Sequence, residues 1–213
     1  MSELDEGVAA VWQAVLNPQS ANWLAERIMS YNLTREGYEA DIAKPARSIR
    51  EKAFLTILRN RVCRGGIIAP GAGFIEYGEN GKGVHSRWYP QTLKRRILAI
   101  NQMRHRITFE RNDAFEVIAR YAEKDDVVFF VDPPYTASKK KAGSRLYNYF
   151  SPDHRKLFNE LANARGDVLL SYDDADEILE LAQSVGFQTR MVAMKNNHAE
   201  MTELLIGKDL SWV

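Results

Sequence analysis

An α/β sheet interrupted by a basic, glycine-rich insertion of mixed structure is the fold class that the sequence predicts, on three observations. After Arg106 the chain alternates between strand-like and helix-like patterns. Val127–Val131 is apolar at all five positions, the signature of a parallel strand covered on both faces. Between Lys44 and Arg106 fourteen Lys and Arg stand against three Glu, and seven of the thirteen glycines fall between positions 65 and 83. A chain of 213 residues and 24.3 kDa suits one domain, or one domain carrying a large insertion.

Taken in order, Leu4, Val8, Val11, Trp12 and Val15 recur at helical spacing, and this amphipathic helix ends near Asn17-Pro18. A second helix is predicted over 21–31 and a third over 49–58. The glycines of 65–83 imply loops or short hairpins. Leu93, Ile97 and Ile100 mark a helix that also bears Lys94, Arg95 and Arg96. Ile107–Glu110 reads as a strand, 113–122 as a helix and Val127–Val131 as a strand. Ser151-Pro152 opens the next helix, with Ser as N-cap and Pro in the first turn, and Leu157, Phe158 and Leu161 form its buried stripe. Gly166 follows the end of that helix. Val168–Tyr172 is a strand, 174–185 a helix closed by Gly186, and 188–194 and 201–206 are a final pair of strands.

Composition excludes several classes of function. Hydrophobic residues at 45% and charged residues at 27% exclude a disordered or fibrous chain. No aliphatic or aromatic run exceeds five residues, so no membrane span is predicted, and the acidic start Met1–Glu6 is unlike a signal peptide. The single cysteine, Cys63, forms neither an internal disulfide nor a thiolate zinc site, which points to a cytoplasmic setting. His85, His105, His154 and His198 lack ligand spacing, so no metal site is expected. The net charge is +1, but residues 44–106 carry +11 and residues 167–213 carry −6. A basic block between acidic segments fits a polyanion partner.

The chemistry is concentrated where Val127–Val131 runs into Asp132-Pro133-Pro134-Tyr135. Open α/β sheets bind ligands at the carboxyl ends of their strands. The two prolines remove two backbone donors and stiffen the turn, leaving carbonyls to face a ligand. Asp132 supplies an acceptor and Tyr135 a flat ring. Acceptors beside a stacking ring suit an amino group on a planar heterocycle.

These residues resemble the Dam-type DNA adenine-N6 methyltransferases, and the resemblance extends over nearly the whole chain. It implies a Rossmann-like class I methyltransferase sheet, S-adenosyl-L-methionine as cofactor and double-stranded DNA as partner; no membrane is expected, and no obligate protein partner is argued. Asp132, Pro133, Pro134 and Tyr135 match the catalytic motif. Glu3, in Ser2-Glu3-Leu4-Asp5, resembles the acid that holds the cofactor's ribose hydroxyls, and Asp113 the acid beside its adenine; Asp132 also belongs to the cofactor site. Residues 168–173 and 202–206 resemble later strands of the family, and Arg59-Asn60-Arg61 to Gly66 the start of its target-recognition region. The implied organisation is a discontinuous catalytic domain, 1–20 and 107–213, around a target-recognition region, 21–106. Cys63 lacks the Pro-Cys context of cytosine-C5 chemistry and is read as a small buried hydrophobe.

The family's glycine-rich Phe-x-Gly-x-Gly loop after the first strand has no counterpart here, since Gly71-Ala72-Gly73-Phe74 lies inside the basic region and reads as a turn. The expectation is an N-terminally truncated reading of a longer enzyme, in which the missing first strand leaves backbone groups unpaired and weakens cofactor binding. DNA contacts are expected from Arg59, Arg61, Arg64, Lys82, Arg87, Lys94, Arg95 and Arg96, mostly to phosphates, and from Lys139, Lys140 and Lys141 beside the motif. The alternatives are an RNA base amino-group methyltransferase and a non-catalytic DNA-binding remnant.

Overall fold

The computed structural model describes residues 1–69, 72–78, 81–134, 153–195 and 200–213. Its residues divide into two units, Met1–Asn112 and Asp113–Val213, each with its own core.

The first unit is helical. Helix α1 (Glu6–Leu16) begins where the Asp5 carboxylate accepts from the backbone N–H groups of Gly7 and Val8, at 2.8 and 2.9 Å. Asn17 ends it and in turn caps α2 (Pro18–Ser30), with Pro18 in the first turn. Thr34 caps α3 (Arg35–Ile42), which the sequence reading did not anticipate, because one buried residue, Tyr38, gives no period to read. Helix α4 (Ile49–Val62) runs four residues beyond its expected end, since Val62 continues the buried stripe of Ala53, Phe54 and Leu58. Helix α5 (Pro90–Gln102) buries Leu93 and Ile97. Leu24, Ile28, Leu58 and Val62 are fully buried at the centre of this bundle. Cys63 is a free, buried thiol whose sulfur lies 3.8 Å from the Tyr38 hydroxyl, as expected of a small core residue.

Between α4 and α5 the described residues make short 3₁₀ turns, Arg64–Gly66 and Gly83–Arg87, and an antiparallel bridge, Cys63 to Phe74. The expected strand at 107–110 is corrected to a single parallel bridge, Ser2 to Glu110. Glu110 donates to the Met1 carbonyl at 3.0 Å and accepts from the Glu3 N–H at 3.3 Å. So short a pairing, with no longer strand beside it among the described residues, does not extend into a ladder.

The second unit is α/β. Helix α6 (Ala114–Tyr121) precedes β1 (Val128–Val131), α7 (His154–Asn163), β2 (Asp167–Asp173), α8 (Asp176–Ser184), β3 (Gln188–Lys195) and β4 (Glu200–Gly207). The sheet order is β1-β2-β4-β3; β1 and β2 are parallel, while β2–β4 and β4–β3 are antiparallel. Phe129, Val168, Leu170, Tyr172, Leu204 and Ile206 form one buried face, packed with Leu157, Phe158 and Leu161 of α7 and Ile178, Leu181 and Ala182 of α8. Burial of side chains this size removes apolar surface worth about 1.5–3 kcal/mol each.

Two expectations for this unit are corrected. Val128 and Phe130 are each 66% exposed, so β1 is covered on one face and not on both. Among the described strands β1 is the sheet edge, and the helices packed on the sheet occupy the opposite face. The N-cap of α7 is Asp153, whose carboxylate accepts from Lys156 N–H at 2.9 Å; Ser151 and Pro152 lie outside the described residues.

Gly166 is required by close packing. A Cβ there would lie 2.1 Å from the Val127 carbonyl oxygen, where the chain turns from α7 into β2. At that point Asp167 N–H donates to Val127 and Arg165 N–H to Ala122. Gly186 closes α8 with a φ of 77°. Among the described residues no helix is long and apolar enough to cross a membrane, and no cluster of potential metal ligands occurs.

Candidate active site

Asp132 leaves the carboxyl end of β1 with its side chain exposed, and Pro133 and Pro134 follow half-buried. The strand explains this placement. Phe129 is anchored in the core, so Val128, Phe130 and Asp132 alternate onto the opposite face. Val131 pairs in register with Leu170, which sets Ser171 beside Asp132 one step beyond the ladder. The Ser171 hydroxyl donates to Asp132 Oδ1 at 2.8 Å. Sequence reasoning missed Ser171 as a site residue. The strand 168–172 was legible, but the register that brings its hydroxyl to the carboxylate is not encoded in any local motif.

Behind this position, Tyr172 is fully buried and its hydroxyl lies 2.9 Å from His154 Nδ1. Burial lowers the His154 pKa below its ordinary value, against the opposing charges of Glu177, Asp153 and Asp173.

The remaining candidate residues fall as follows. Glu3 sits next to the Ser2–Glu110 bridge, and its Oε1 accepts from Asp5 N–H at 2.8 Å. Asp113 is the N-cap of α6, where Oδ1 accepts from Phe115 N–H at 2.9 Å. Tyr135, Lys139, Lys140 and Lys141 lie outside the described residues.

The basic candidates lie in the first unit. Arg59 and Arg61 occupy the last turn of α4, and the Nε of each is buried with no hydrogen-bond partner. Burial lowers the pKa of Arg61, helped by the charges of Arg87 and Arg96, so these three guanidinium groups are gathered together. Arg87 also donates to the Cys63 carbonyl at 3.2 Å. Arg95 and Arg96 are exposed on α5, and Lys82 is exposed before the 3₁₀ turn. Arg64 and Lys94 are held differently, in ion pairs with Glu76 at 3.0 Å and Glu26 at 2.6 Å. A phosphate has to displace an acid at those two positions, but not at Arg61, Arg87 or Arg96, for which no ion pair occurs among the described residues.

The family described as D12 class N6 adenine-specific DNA methyltransferase matches residues 30–197, a span that holds α3 to α8, β1 to β3 and the whole of Asp132–Tyr135. The chain belongs to that family. A D12 class methyltransferase is an enzyme that methylates the N6 amino group of adenine in DNA, and the α/β unit with its mixed sheet is consistent with a methyltransferase fold. Comparison with curated proteins returns no match.

Proposed function

We propose that this chain transfers a methyl group from S-adenosylmethionine to adenine N6 in duplex DNA, with Asp132, Pro133, Pro134 and Tyr135 holding the base. The observation that carries the reading is the exposed Asp132 carboxylate at the carboxyl end of β1, followed by two residues without backbone N–H. Asp132 and the Pro133 carbonyl accept hydrogen bonds from the adenine amino group. Those bonds draw the nitrogen lone pair out of conjugation with the ring and make the nitrogen a better nucleophile. Tyr135 stacks the base after it is rotated out of the duplex. Positioning supplies most of the acceleration, and no covalent enzyme intermediate is involved.

S-adenosylmethionine, when bound, supplies an electrophilic methyl group on sulfonium. The acids offered for it suit its hydroxyls and amines. Glu3 keeps Oε2 without a partner among the described residues, and Asp113 presents an exposed carboxylate at a helix start. With Asp132, these are the proposed cofactor contacts. The basic residues of 21–106 are the proposed target-recognition surface, and 1–20 with 107–213 the catalytic domain, in a cytoplasmic enzyme.

The test is product analysis after incubation with labelled cofactor and either duplex DNA or structured RNA. N6-methyladenine in the DNA is the expected result. Salt-dependent DNA binding with no methyl incorporation overturns the reading.

A further inference from the structure

We infer that Ser171 is a positioning residue for the reaction, its hydroxyl holding the Asp132 carboxylate in one orientation toward the entering amino group. This rests on the proposed role of Asp132. Asp132 follows the last residue of β1 and Ser171 lies two residues before the end of the adjacent parallel strand β2, side by side on the same sheet face and 2.8 Å apart between Ser171 Oγ and Asp132 Oδ1.

The two partners differ in their backbone setting. Ser171 lies between Leu170 and Tyr172, both fully buried, on a strand paired on both sides. Tyr172 is tied further by His154. Asp132 is exposed, at the exit of the strand that is the edge among the described strands, and precedes a proline. An aspartate side chain has several staggered rotamers open to it. A hydroxyl on the neighbouring strand favours the one that keeps Oδ1 at 2.8 Å before substrate arrives, which is how preorganisation contributes to rate. A hydrogen bond to a carboxylate is stronger than one between neutral groups, so its loss is large enough to measure.

Ser171→Ala is expected to lower the single-turnover methyl-transfer rate about tenfold, with little change in KM for DNA. Ser171→Thr keeps the hydroxyl on a side chain suited to a strand, and is expected to restore most of the rate. In an Asp132→Asn background Ser171→Ala is expected to add little, because the group it orients is already impaired. Thermal unfolding of each variant checks that the sheet is intact; if Ser171→Ala does not fold, the comparison of Ser171→Thr with Ser171→Cys reads the same hydroxyl. The assignment is overturned if the hydroxyl-free variant keeps the wild-type rate, if Thr fails to rescue, or if the losses simply add. A wild-type protein without activity, or an unaffected Asp132→Asn, overturns the function reading and the role of Ser171 with it.

Discussion

The two units of the chain carry opposite charge and different kinds of order. Met1–Asn112 has seventeen Lys and Arg against eleven Asp and Glu, net +6, while Asp113–Val213 has twelve against seventeen, net −5. The positive unit is a helical bundle with caps and local contacts, and its guanidinium groups are gathered at the end of α4 and on α5. The negative unit is a sheet whose candidate catalytic carboxylate is placed by strand register. The attraction of a polyanion and the chemistry on a base are thus proposed for different parts of the chain. An acidic site by itself repels phosphate, so a separate basic unit is the physical counterpart of the carboxylate proposed at the reacting nitrogen.

This division can be broken experimentally, starting with the cores. Phe158→Ala removes a fully buried ring beneath the sheet and is expected to cost about 3–5 kcal/mol. Leu58→Ala in the helical bundle is expected to cost about 2–5 kcal/mol. Hydrogen exchange sharpens the comparison: the first change is expected to deprotect β2 and β4, and the second α1, α2 and α4. Loss of protection across both units from either change contradicts the division.

A smaller effect is expected on DNA binding. Arg87→Gln and Arg96→Gln should each weaken binding and reduce the slope of log affinity against log salt by about one. Lys156→Gln, in the acidic unit and paired with Glu160, is expected to leave the slope unchanged. Equal slopes for all three variants, measured by fluorescence anisotropy, refute the assignment of the basic unit.

Smaller still is the cap of the unanticipated helix. Thr34→Ala removes the acceptor for the Gly37 N–H and is expected to cost about 1 kcal/mol by denaturant unfolding.

The smallest effect concerns pH. His154 titrates below its ordinary value of 6.5 when folded, so the unfolded chain binds its proton first as pH falls. Its contribution to stability is therefore complete above that value and is lost as pH drops below it. His154→Gln is expected to flatten the stability profile over that range, and an unchanged profile contradicts the assignment.

The contrast also explains how much of the molecule the sequence disclosed. Helices α1, α2 and α5 were legible from apolar spacing and from Asn17-Pro18, and β2 to β4 from short runs bounded by Gly166 and Gly186. The position of Asp132 was legible because an apolar strand ran straight into it. Three features were not. Helix α3 buries one side chain, so no stripe marks it. The five apolar residues ending at Val131 do not reveal which face is covered, and Val128 and Phe130 are exposed. The bond from Ser171 depends on a pairing register between strands almost forty residues apart, which no local pattern carries.

The most direct test of the account is the single-turnover rate of Asp132→Ala with saturating duplex DNA and cofactor, alongside DNA affinity. Methyl transfer is expected to fall by about a thousandfold or more, while affinity and its salt dependence stay near the wild-type values. A variant that methylates adenine at close to the wild-type rate contradicts the claim that this carboxylate holds the reacting amino group.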